Sequence, residues 1–251
     1  MNNFKYLYDK NFCDVPFPDF KNENWRYINL KDLKNFLNLN QSTIDNHNIL
    51  KNQNIESDII INDEAVHVKK TLDSGVSIDV ISPNQINTLD LNIKKRIGNI
   101  AKIDDYFVSQ NTKSFDKLIL IGLDGELDSN LTIDVNISKD INFKNRFFIY
   151  SKNKSNNSVQ INFHNSYSFV NSLFEFCIQD HSNIKLICVN NSKESVDIIN
   201  YWFEIHKNGS LNATFLSLGN EKILKNDIRV DLVGKSAKAD IGGLYIPRLN
   251  A

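Results

Sequence analysis

Alternation of apolar and polar positions dominates residues 196–246. Ile199, Tyr201, Phe203 and Ile205 hold one parity without interruption, whereas Asn200, Glu204 and His206 share the other with Trp202. A period of two is that of a strand with one buried face. The alternation returns where Ile228, Val230 and Leu232 interleave with Asp227, Arg229 and Asp231, and residues 211–218 add an apolar run closed by Gly219 and Asn220. Further strand patterns fall at residues 118–121, 131–135, 146–150, 159–163, 173–178, 184–189 and 237–246. They recur about every 10 to 13 residues, the spacing of a sandwich, barrel or solenoid. Gly-containing turn pairs are scarce, Asp124-Gly125 and Asn208-Gly209 being the clear ones, while Asn and Ser mark most corners. Shallow Asn corners between strands of similar length favour a β-helix or another coiled stack.

The chain before Ser114 has a different texture. Residues 1–20 hold Phe4, Tyr6, Tyr8, Phe12, Phe17 and Phe20 with no single period, which reads as an arm that packs its aromatics elsewhere. Leu30, Leu33, Phe36 and Leu37 fall at helical spacing behind Asn29 as N-cap, with Asp32 in the first turn. Residues 39–57 are polar and Asn-rich and are predicted to be a loop. Strands are expected at residues 59–61, 65–68 and 76–81, the last two separated by an Asp73-Ser74-Gly75 turn, and helices at residues 89–100 and 104–115. Residues 1–115 thus read as a mixed α/β region and residues 116–251 as a mainly β core.

Charge narrows the range of partners. With 29 Lys plus Arg against 30 Asp plus Glu, the net charge of -1 gives no field for a phosphate backbone or an anionic bilayer. Residues 1–20 lack the apolar run of a signal peptide, and no segment reaches roughly 18 consecutive apolar residues. The expectation is a cytoplasmic protein that binds neither nucleic acid nor membrane. Its three cysteines, Cys13, Cys177 and Cys188, are too few and scattered for a disulfide framework.

Candidate chemistry is sparse. Gly234-Lys235-Ser236 lacks the earlier Gly of a P-loop, since Arg229 stands there, and Asp124-Gly125-Glu126 lacks the acidic spacing of a calcium loop. Cys177, His181 and Cys188 together offer thiolate and imidazole, yet their spacing matches no closed metal site and both cysteines sit among apolar neighbours, as core residues do. His164 and His206 lie at strand ends beside aromatics, where solvent or a core hydrogen bond is expected. No catalytic, cofactor or metal residue is assigned. A carbohydrate-active β-helix enzyme and a purely structural dimerisation module remain open as alternatives.

Two stretches carry a resemblance. Lys21-Asn22-Glu23-Asn24-Trp25-Arg26-Tyr27-Ile28-Asn29-Leu30 is similar to a Lys-x-Glu-x-Trp-Arg-Tyr-Thr-x-Leu segment, with Ile28 where Thr is usual. Phe174-Glu175, Gln179, the run from Arg229 through Gly234, and Gly243-Leu244-Tyr245 follow in order, and Asn111-Thr112-Lys113-Ser114-Phe115 resembles a degenerate Leu-Asn-Thr-Ala-Phe. These features resemble the SufB/SufD family of iron–sulfur cluster assembly proteins, SufD more closely. The resemblance implies a right-handed parallel β-helix after an N-terminal mixed region. It also implies a non-catalytic scaffold that assembles with a SufB-like subunit and a SufC-like ABC ATPase, a cluster being built transiently on the complex. The given sequence stops at Ala251, soon after Gly-Leu-Tyr, where SufD continues through more β-helix and a helical segment. No cluster-building residue is therefore carried over, and the last coil is expected to present an open edge able to form a homodimer.

Overall fold

The computed structural model describes residues 15–41, 49–52, 56–138, 140–219 and 221–246. Most of the aromatic arm lies outside them. The first elements are α1 (Leu30–Leu37), β1 (Asn40–Gln41), β2 (Ile49–Asn52), β3 (Ile59–Asn62), β4 (Val66–Lys69), β5 (Val76–Ile81), α2 (Leu91–Arg96) and α3 (Tyr106–Lys113). Asn29 caps α1 as its sequence predicts, accepting from the Lys31 and Asp32 N–H groups. Asp105 does the same for α3, accepting from Phe107 and Val108. Two expectations need correction. Residues 39–57 are not one loop, because β1 and β2 fall within them and pair in parallel with later strands, supplying the backbone partners that polar side chains could not announce. The single helix expected over residues 89–100 is only α2, preceded by a 3₁₀ segment, Pro83–Thr88, behind Ser82.

From Lys117 onward the chain coils into a parallel β-solenoid of about five turns. Each turn gives one strand to each of two sheets. The first sheet stacks β6 (Lys117–Leu123), β8 (Ile141–Ser151), β10 (Phe169–Ile178), β12 (Val196–Ile205) and β14 (Ile223–Leu232). The second stacks β7 (Leu131–Asn136), β9 (Asn156–Phe163), β11 (Asn183–Asn190), β13 (Ser210–Ser217) and β15 (Lys238–Tyr245). Register is strict: Phe169, Val196 and Ile223 pair in succession, 27 residues apart at each step. The early strands join the same sheets, β5 antiparallel to β6 and β3 parallel to β7.

The repeat explains why glycine is scarce at the corners. Lys154, His181, Asn208 and Ser236 stack at one corner of successive coils, all with φ between 53° and 63°. In this left-handed conformation the first three N–H groups donate to the next coil: Lys154 to Asp180 O, His181 to Lys207 O and Asn208 to Lys235 O. The ladder of corner hydrogen bonds offsets the strain that a side chain meets at positive φ. Glycine is demanded elsewhere. A Cβ on Gly234 would stand 2.0 Å from the Lys207 backbone nitrogen, so the chain can cross the preceding coil there only without one.

Between the sheets lies an apolar core with stacked aromatic ladders. Phe147, Phe174 and Tyr201 lie on successive coils with ring centroids 4.3 Å and 5.1 Å apart, and Phe176 stacks on Phe203 at 4.7 Å. The second sheet turns its other face to solvent, so β11 and β13 alternate buried and open positions as a half-buried strand should. The first sheet departs from that pattern, correcting the one-faced reading of residues 196–205. Phe203 is 1 % exposed on the inner side and Trp202 only 2 % on the outer side. The cause is a layer of helix and turn laid over that outer face, in which Ile93, Ile97, Ile100 and Val108 pack against Leu173 and Trp202.

Candidate functional site

The layer over the first sheet brings polar side chains onto buried strand positions. Side chains of one parity on β8, β10, β12 and β14 point outward, and parallel register sets them in columns. One column runs Phe148, Glu175, Trp202, Arg229, and the next runs Tyr150, Cys177, Glu204, Asp231. Gln179 and His206 follow Cys177 and Glu204 by two residues and continue the outward parity. Cys177 and Gln179 on one coil therefore face Glu204 and His206 on the next.

The geometry of this group is tight. Glu204 Oε1 lies 2.7 Å from His206 Nε2, and Cys177 Sγ lies 3.8 Å from each of those atoms. Gln179 Nε2 donates to Sγ at 3.1 Å, and Arg96 Nη1, from the end of α2, donates to it at 2.7 Å. Burial pushes the Cys177 thiol up to about 11, with Arg96 acting against the shift. The Glu204 and His206 side chains are about a third and a quarter exposed, so the group is open on one side. Arg96 and Gln179 also line a cleft of about 640 Å³, together with Tyr150, Asp124 and Lys152. Thiol, carboxylate and imidazole converging on one point can bind a borderline cation.

Arg96 is held in place from beneath. Glu175, fully buried, accepts from the Gly98 and Ala101 N–H groups just beyond α2, at 3.0 Å each. Its other oxygen accepts from Arg146 Nε and Nη2 at 3.0 Å and 2.7 Å. The Trp-Arg-Tyr segment docks further along the same face. Trp25 is 1 % exposed, donates to Asp105 Oδ2 and packs on Phe107, with the Lys225 ammonium 4.7 Å from its ring centre.

Of the residues weighed from sequence, His181 is exposed at the stacked corner and takes no part in the cluster. Cys188 points into the core, where burial pushes its thiol up to about 12 against a hydrogen bond with Tyr201. Cys177 alone of the three is at the cluster: it is buried in an apolar cluster, as a core residue is expected to be, but that cluster lies beneath the covering layer and its sulfur meets polar partners. His206, expected to meet solvent or a core hydrogen bond, pairs with Glu204. Sequence reasoning missed Glu204, Arg96 and Gln179. The signal was the 27-residue repeat, which sets Cys177-x-Gln179 beside Glu204-x-His206 once strands are stacked in register.

At the far end of the solenoid β14 and β15 close the two sheets with no further strand among the described residues. Leu232, Val233, Leu244 and Tyr245 are each more than half exposed there. No helix of the described residues is long and apolar enough to cross a membrane. No curated protein matches the chain. Residues 135–250, from the end of β7 past β15, match the family model described as SUF system FeS cluster assembly, SufBD core domain, which is the family whose sequence features the chain resembles.

Proposed function

We propose that the protein is a SufD-like scaffold subunit of the cytoplasmic SUF machinery, working in complex with a SufB-like chain and a SufC-like ABC ATPase. The observation that carries this reading is the match of residues 135–250 to the SufBD core domain, which falls on the stacked coils from the end of β7 onward. The buried Trp25 in its Trp-Arg-Tyr segment supports it, because that segment is anchored on the solenoid rather than appended to it. On this reading β14 and β15, the last strands of their sheets among the described residues, with Leu244 and Tyr245 exposed, receive a strand from a SufB-like chain or from a second copy. A carbohydrate-active role needs two carboxylates across one cleft. Among the described residues the cleft beside α2 is lined by one carboxylate, Asp124.

The test is co-expression of the tagged chain with SufB-like and SufC-like proteins, followed by affinity purification and mass measurement. A stable complex containing the SufB-like chain is expected. Recovery of the chain alone, monodisperse and indifferent to both, would overturn the scaffold reading.

A further inference from the structure

We propose that Cys177, Glu204 and His206 form an open three-ligand site for a thiophilic divalent cation of the zinc class, with Arg96 standing against the thiol in the metal-free chain. The geometry of the cluster carries this site independently of the SUF reading. The three ligand atoms lie within 4.8 Å of one another. Metal–ligand bonds of about 2.3 Å for sulfur and about 2.0 to 2.2 Å for nitrogen and oxygen give tetrahedral edges of about 3.6 Å to sulfur and about 3.4 Å between nitrogen and oxygen. Both observed edges to sulfur are 3.8 Å, already near that value. The 2.7 Å between Glu204 and His206 is a hydrogen bond and must open, which two partly exposed side chains at the end of a strand can do.

The set of donors selects the class of cation. A thiolate and an imidazole disfavour magnesium and calcium, whereas thiolate, imidazole and carboxylate together suit zinc, cobalt or ferrous iron. Binding exchanges the thiol proton, released to solvent, for a metal–sulfur bond, and places the imidazole proton on Nδ1 so that Nε2 presents its lone pair. Three protein ligands leave a fourth position for water or a small anion, as in zinc sites that bind exchangeable ligands. The other residues that touch Sγ, Arg96 and Gln179, both border the cleft. A guanidinium 2.7 Å from Sγ competes with any metal for that sulfur. Arg96 therefore weakens binding, and its removal strengthens it.

The experiment uses the full chain carrying Cys13→Ser, treated with chelator and titrated with Co²⁺ and then Zn²⁺ alone. The expected result is a single bound cobalt with tetrahedral visible absorption and a sulfur-to-cobalt charge-transfer band in the near ultraviolet, both displaced by zinc. Cys177→Ser abolishes the charge-transfer band, and Glu204→Gln and His206→Gln each weaken binding by roughly 10-fold or more, since loss of even an outer partner of a ligand costs about that. Arg96→Gln tightens binding several-fold, and Cys188→Ser leaves the spectrum unchanged. Absence of cobalt binding, or a spectrum indifferent to Cys177→Ser, would overturn the proposal. Where Cys177→Ser lowers the melting temperature, the two partly exposed ligands decide: unchanged affinity in both Glu204→Gln and His206→Gln overturns it equally.

Discussion

Arg146 and Glu175, on adjacent coils of the first sheet, form a fully buried ion pair: their side chains are 1 % and 0 % exposed and meet at 2.7 Å. Further hydrogen bonds tie the pair to the covering layer. Thr112 Oγ1 of α3 accepts from Arg146 Nη1 at 2.9 Å, and Gly98 and Ala101 donate to the carboxylate. Two buried charges thus fasten the helical layer, and with it Arg96, to the solenoid.

Removing one partner leaves the other charge uncompensated in a buried site, which costs about 3 to 5 kcal/mol. Glu175→Gln is expected to lose stability of that order in urea unfolding. The segment after α2 should also exchange its amide hydrogens faster than in the wild type, Gly98 and Ala101 first. A loss confined to global stability, with those amides still protected, would show that the layer is held by its apolar contacts.

Trp202→Ala and Phe203→Ala are expected to destabilise alike, each by about 3 to 5 kcal/mol. Phe203 leaves a hole in the ladder with Phe176, and Trp202 leaves one under Ile97 and Ile100 and strips the surface from the Arg229 guanidinium 4.5 Å from its ring. Unfolding free energies of the two variants check this. A Trp202→Ala loss less than half that of Phe203→Ala would restore a strand with a single buried face.

The contrast between these two residues shows how far the sequence could be read. Phe203 was legible because its parity is unbroken from Ile199 to Ile205, and the recurrence of such strands disclosed the coil. Trp202 was not, because its neighbours on the outer parity, Asn200 and Glu204, are polar, and its own burial comes from a layer of helix and turn more than 80 residues earlier in the chain. Asn29 announced its helix because a cap acts within three residues. The cluster at Cys177 obeys no local rule. Its members come from α2 and two coils, and only the register between Cys177 and Glu204 unites them.

Gly234→Ala tests the close crossing of coils. The added methyl would meet the backbone at His206 and Lys207 rather than the end of a flexible side chain, so the chain must shift. A loss of about 1 to 3 kcal/mol, the usual cost of overpacking, is expected. The same shift moves His206, so cobalt affinity should fall with stability. A neutral Gly234→Ala would mean that the crossing yields without strain, whereas the equally small Gly242→Ala, whose Cβ meets nothing, is expected to be silent.

Asp197 gives stability a pH dependence whose sign follows from its surroundings. The side chain is fully buried at the start of β12, and burial raises its pKa above the ordinary 3.8, against hydrogen bonds from Ser192, Asn190 and Asn165. The folded chain therefore holds a proton on this carboxyl over a range where the unfolded chain has released it. Its contribution is fully present below the unfolded value and is lost as pH rises through the folded one. Asp197→Asn, which cannot ionise and can still accept from Asn190 or Asn165, lacks that dependence. The unfolding free energy of the wild type relative to Asp197→Asn should be most favourable in acid and decline from about pH 4 upward. Urea unfolding of both proteins from acid to neutral pH measures the difference. A wild type that gains on the variant as pH rises would show instead that the hydrogen bonds from Ser192, Asn190 and Asn165 outweigh burial and hold Asp197 ionised.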